Sequence, residues 1–257
     1  MATNQEVKKL YGENAPEYEK MYQPTNLLLR LENELFAAAF KHPTVKEGVV
    51  LDLGGGTGLK ARMALDAGAA AVDVVDLSAE MMSQGQVIEA ELDRHAVRWF
   101  EADISQPLTH LSLRPQYDVV MANWVFDHVD NIETLEGMWR NIATYLKPGG
   151  LFLGVRNANI GASYQSKNDY GFVAKDIEEI PGGIKYRVYF SSSPVVLDGA
   201  SMEVMYSGST ALYEKHGLVD VHNLPVEDTD VVKENPDLFQ PFIEEPALVV
   251  VQATKKL

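Results

Sequence analysis

The residues with the clearest chemical potential sit at the ends of short apolar runs. Val49-Val50-Leu51 leads to Asp52, and glycines follow at 54, 55, 56 and 58. Such a run reads as a buried strand, and glycines just beyond it let the chain turn tightly and let a ligand approach main chain that a Cβ would shield. Asp76 closes a second apolar run, Asp103 follows a third, and Asn123, Trp124 and His128 follow a fourth. A carboxylate at a strand end can accept hydrogen bonds from a pair of ribose hydroxyls, and an imidazole can take a proton near neutral pH. The pattern is that of a nucleotide-like binding site with one candidate base.

Spacing separates the competing nucleotide motifs. A dinucleotide fingerprint starting at Gly54 needs a third glycine where Leu59 stands, and a phosphate-binding P-loop needs glycine directly before lysine, where Leu59 again precedes Lys60. The motif that fits is D-x-G-x-G-x-G, Asp52 to Gly58, which resembles motif I of the class I S-adenosylmethionine-dependent methyltransferases. Asp76 lies 24 residues after Asp52, near the separation of a ribose-binding acid. Lys147-Pro148-Gly149-Gly150 before an apolar strand is similar to a further hallmark of that family, with an architectural role. Within the family the chain looks most like small-molecule enzymes of the toxoflavin-pathway type.

The resemblance implies S-adenosyl-L-methionine as cofactor and gives each motif residue a role. Asp52 and Gly54, Gly55, Gly56 and Gly58 form the cofactor turn, and Asp76 holds the ribose. Leu77 and Met81 flank adenine, Asp103 meets its exocyclic amine, and Ile104 supplies an apolar wall. Asn123 and Trp124 lie beside the transferable methyl. An N-terminal segment containing Tyr11 and Tyr18 closes over the cofactor, and Arg30 reaches its carboxylate, with pairing to Glu34 as the plainer alternative. His128 is the candidate general base, or else a locally packed histidine; Tyr11 and Tyr206 are candidate acceptor-positioning groups.

These sites need a scaffold that presents strand ends on one side. Helical periodicity covers 25–41, with Leu27, Leu28, Leu31, Leu35 and Phe36 on one face, and Ile132 through Tyr145. The expected fold is α/β: a Rossmann-like seven-stranded sheet whose order, by resemblance, is 3-2-1-4-5-7-6 with strand 7 antiparallel. Residues 1–45 are expected to form an N-terminal lid and helical extension, and 46–257 the core. Residues 157–206 are expected to form a substrate-covering insertion in which Tyr186–Phe190 pairs antiparallel with Ser201–Tyr206, with a turn at 197–199 that joins them or lies nearby. Tyr164, Tyr170, Phe172, Tyr189 and Tyr206 offer aromatic surface there for a flat molecule, or an ordinary apolar seam.

Composition narrows the function. A formal charge of −15 over 257 residues disfavours a nucleic-acid groove, and the absence of cysteine removes thiolate catalysis and cysteine-held metals. The histidines make no metal-binding spacing, so no metal is expected. No apolar run reaches membrane-spanning length and the N-terminus has no secretory pattern, so a cytoplasmic protein, monomer or homodimer, is expected. The reaction expected is methyl transfer to an N or O atom of a small, flat or heterocyclic acceptor. The alternatives are a non-methylating enzyme such as a pericyclase, and a binding protein.

Overall fold

The computed structural model describes residues 8, 9, 11–13, 15, 26–162, 164, 170–191 and 193–257. Its first complete helix, α1 (Leu27–Ala39), starts where the Asn26 side chain accepts the Leu29 amide at 3.1 Å, which satisfies one of the unpaired donors of a helix start. There follow β1 (Val49–Leu53), α2 (Leu59–Asp66), β2 (Ala71–Asp76), α3 (Ala79–Glu91), β3 (Val97–Glu101), β4 (Tyr117–Ala122), α4 (Ile132–Tyr145) and β5 (Leu146–Asn157). Ser78 caps α3 by accepting the Met81 amide, and Asn131 caps α4 by accepting that of Thr134.

The chain then leaves the main sheet for β6 (Phe172–Ile180), β7 (Gly183–Phe190) and β8 (Val196–Met202). It returns through α5 (Glu203–Tyr206), α6 (Ala211–Lys215), β9 (Leu218–Asn223), α7 (Asp230–Glu234), α8 (Pro236–Glu244) and β10 (Leu248–Lys255). The seven-stranded sheet has the order β3-β2-β1-β4-β5-β10-β9, with β10 antiparallel to both neighbours. This is the expected topology.

Alternation along the central strands explains why the sheet is covered on both sides. Val50, Val119, Leu151 and Val250 join one apolar cluster with α1 and α2, while their neighbours Leu51, Val120, Phe152 and Val251 join another with Leu135, Trp139 and Ile142 of α4. Both faces being filled, the parallel strands leave their carboxyl ends as the place for a ligand.

The insertion departs from expectation in detail. It is a three-stranded antiparallel sheet, β6-β7-β8, in which 197–199 lie within a strand, and the segment expected as a strand to Tyr206 becomes helical at Glu203. The residues of β6 are exposed along Lys175–Glu179 and charged except for Ile177, so no buried apolar alternation occurs there and the strand is held by its ladder to β7.

Candidate active site

Backbone geometry sets the turn after β1. Gly54 adopts φ 73°, and a Cβ on it would lie 2.2 Å from Val125 Cγ1, so a side chain there is strained in its backbone and forces Val125 to shift. Gly56 has φ 55° and donates its amide to Asp76 Oδ2 at 2.8 Å, while Asp76 Oδ1 accepts the Ser78 amide at 2.8 Å. Asp76 thus fastens the first turn to the start of α3, with lone pairs left for hydroxyls. Burial raises its pKa, and the amides of Ser78, Gly56 and Leu77 work against that rise.

Three neighbouring pockets, or lobes, lie around the strand ends and share lining residues. A strand-end lobe is lined by Gly54, Gly56, Asp76, Leu77, Met81, Asp103, Ile104 and Lys8, which pairs with Glu101. An acid lobe behind the turn is lined by Asp52, Gly55, Glu32, Lys60 and Asn123. A sheet lobe under β7 and β8 is lined by Leu29, Phe172, Phe190, Tyr186, Asn157 and Asp127. The first and third enclose about 840 and 610 Å³ of empty space including their mouths, the scale of small-molecule sites. Tyr11 and His128 line both of these, and Trp124 lines all three lobes.

Trp124 is held in an unusual state. Its φ is 61°, a region that costs energy for a residue with a side chain. The indole N–H donates to Glu32 Oε2 at 2.8 Å, and the ring meets Phe172 edge to face at 6.4 Å. Glu32 is fully buried on α1 and forms an ion pair with Lys60 at 2.7 Å.

The acid lobe contains unmet hydrogen-bonding capacity. Both carboxyl oxygens of Asp52 and both amide atoms of Asn123 are buried without a hydrogen-bond partner among the described residues. Burial, with the charge of Asp76 adding and Lys60 opposing, pushes the Asp52 pKa up to about 7. Groups left like this cost about 1–3 kcal/mol each, so the lobe suits a ligand carrying both donors and acceptors.

On the other side, Tyr11 Oη and His128 Nε2 lie 2.7 Å apart. Desolvation pulls the His128 pKa down to about 4, against the upward effect of the Asp198 backbone, so the ring is neutral at pH 7. Beneath it, Asp127 is buried and tied to the insertion: it accepts the Asn157 amide, the Asn157 side chain at 2.8 Å and the Ser201 hydroxyl. Tyr186 shares this cluster through Asn157 at 2.6 Å.

Two expected site residues lie elsewhere. Arg30 bonds Glu34 at 2.8 Å and Glu234 at 2.6 Å, because α1 turns it toward α7 and away from the cavity that Leu29 and Glu32 face. Tyr206 sits on α5 beside Glu203 and Glu179 and lines none of the three lobes. Gly58 supports the turn from outside, where a Cβ would meet Trp99 at 2.7 Å. Tyr164 and Tyr170 pack with Phe242 in the core, and Tyr189 bonds Asp176 on the exposed side of the insertion. Tyr18 lies outside the described residues. Sequence reasoning missed Glu32, Lys60 and Phe190; the available signal for Glu32 was a carboxylate one turn after Leu28 on an apolar face.

Comparison with known proteins bears on this geometry. A family model described as a methyltransferase domain matches residues 51–152, the stretch from β1 into β5. Among solved structures, an S-adenosylmethionine-dependent methyltransferase from Mesorhizobium loti is 17% identical over 85% of this chain and 95% of that one, with TM-score 0.57. One from Clostridium acetobutylicum is 12% identical over 98% and 100%, with TM-score 0.59. The fold is that of the class I S-adenosylmethionine-dependent methyltransferases. The 1,6-didemethyltoxoflavin-N1-methyltransferase of Burkholderia thailandensis, solved with 1,6-didemethyltoxoflavin and S-adenosylhomocysteine, shares this methyltransferase fold at 15% identity over 100% and 92% of the chains, TM-score 0.56. No curated protein matches the chain. Among the described residues no cluster of metal-binding side chains occurs, and no helix is long and apolar enough to cross a membrane.

Proposed function

We propose that the chain is an S-adenosylmethionine-dependent methyltransferase acting on a nitrogen or oxygen atom of a small, flat or heterocyclic molecule. The observation that carries this reading is the set of three neighbouring lobes that share Trp124 as a lining residue. The sulfur of the cofactor bears three substituents: an adenosyl group, an aminobutyrate chain and the methyl. Asp76, Asp103, Met81 and Ile104 offer acceptors and walls for a nucleoside, and the orphaned atoms of Asp52 and Asn123 suit the ammonium and carboxylate of an amino acid. The remaining lobe, aromatic on several sides, is left for the acceptor.

When bound, the cofactor supplies an electrophilic methyl group with a neutral thioether as leaving group. The chain's contribution is orientation: holding acceptor and methyl in line replaces a bimolecular encounter by a positioned one. Tyr11 and His128 line both the strand-end and sheet lobes, and the neutral imidazole accepts a hydrogen bond from the Tyr11 hydroxyl and orients it toward an acceptor; with its pKa near 4 it is suited to an acceptor that needs only weak base assistance. Asp127 and Asn157 hold the insertion over this point. The heterocycle preference is supported by the Phe172, Phe190 and Trp124 rings and by the heterocyclic substrate of the Burkholderia enzyme of like fold.

The test is incubation with methyl-labelled S-adenosylmethionine and a library of heterocycles and phenols, after calorimetry has measured cofactor uptake. Label appearing in a product is the expected result. Uptake with an acceptor altered but unlabelled would transfer the assignment to a non-methylating reaction, and no uptake at all would remove it.

A further inference from the structure

We propose that Glu32 and Trp124 act as one unit that reads the positive charge of the methyl donor, raising affinity for the sulfonium relative to the neutral thioether left after transfer. This rests on the methyltransferase reading. Trp124 is the residue that lines all three lobes, so a sulfur with one arm directed to each would lie against it. Indole is the strongest cation-binding ring among side chains. Its N–H donates to a fully buried carboxylate at 2.8 Å, which increases the electron density of the ring face, while the ion pair with Lys60 keeps that carboxylate ionised. The ring is also fixed: Phe172 abuts it on edge at 82°, and the backbone amide of Trp124 is bonded to the Val155 carbonyl at 2.9 Å. Glu32 is in turn held by Lys60. It belongs to α1, outside the span matched by the methyltransferase-domain model, so nothing in the motif pattern points to it.

Glu32 is a positioning residue on this account, and its effect is read by binding rather than turnover. Calorimetry with S-adenosylmethionine and, separately, S-adenosylhomocysteine gives the ratio of the two affinities. Trp124→Leu is expected to weaken the sulfonium compound about tenfold and the thioether by less than about threefold. Trp124→Phe, which keeps a ring but has no N–H for Glu32, falls between wild type and Leu. Glu32→Gln shifts the ratio in the same direction by about threefold; because it removes the carboxylate that balances the buried Lys60 ammonium, which also donates to Asn33 Oδ1 at 2.6 Å, the double variant Glu32→Gln with Lys60→Met provides a charge-balanced second reading. Circular dichroism reports whether each variant is folded. Equal loss of both ligands across the folded variants overturns the proposal while leaving the methyltransferase reading intact. A wild-type protein that binds neither overturns both.

Discussion

The strand-end lobe is drawn from the carboxyl ends of neighbouring strands, whereas the sheet lobe is assembled from residues as distant as Leu29 and Leu197. In the first, position is fixed by strand register and by backbone dihedrals at Gly54 and Gly56, and Asp76 fastens the turn to the start of α3. In the second, side chains from α1, the loop after β4 and the inserted sheet meet across a cavity, with the buried Asp127 cluster as the joint. Backbone-built sites tolerate little change without loss of the fold. A site built from side chains on a separate sheet can change its selectivity while the core stays as it is.

The sharpest way to break that contrast is at the turn. Gly54→Val is expected to destabilise the protein by about 3 kcal/mol or more, since it combines a forbidden φ with a collision against Val125; thermal unfolding measures it. Asp76→Ala should weaken S-adenosylmethionine by roughly 10- to 100-fold, the loss of charge-assisted hydrogen bonds worth about 1.5–3 kcal/mol, read by calorimetry. A smaller effect belongs to Asp52. Its carboxyl is half ionised near pH 7 in the empty protein, and an ammonium ligand favours the ionised form, so affinity should rise about tenfold from pH 6 to pH 8 and lose that dependence in Asp52→Asn.

The same carboxyl affects folding with the opposite sense. Its pKa lies in the usual carboxylate range near 4 when unfolded and near 7 when folded, so between those values only the folded state retains the proton. Its contribution to stability therefore declines as pH rises from about 4 to about 7. In the sheet lobe, Phe190→Ala is expected to leave S-adenosylmethionine affinity within about twofold and to raise the acceptor KM by roughly tenfold, the loss of one aromatic wall. A large fall in cofactor affinity there would erase the distinction between the lobes.

That distinction also explains what the amino-acid sequence reveals. Asp52, the glycines and Asp76 lie at strand ends whose apolar runs are legible, and their arrangement follows from local pattern plus the order of strands. Arg30 misled because helical spacing places it within a turn of the cavity-facing Leu29 and Glu32 without telling which side of α1 the cavity adjoins. Tyr206 misled because apolar and polar residues alternate into Glu203, a strand-like pattern that ends where four residues coil into α5. Glu32 went unnoticed because its meaning depends on Lys60 and Trp124, which are 28 and 92 positions further on. Partners that distant leave no periodic trace.

Leu29 and Glu32 stand three residues apart on α1, one touching the sheet lobe and the other the acid lobe, while the Asn26 cap at the head of that helix reaches the Gly171 carbonyl just before β6. A helix this short behaves as a stiff rod. Any tilt that shifts Leu29 beneath the inserted strands therefore also moves the Glu32 carboxylate that holds the indole.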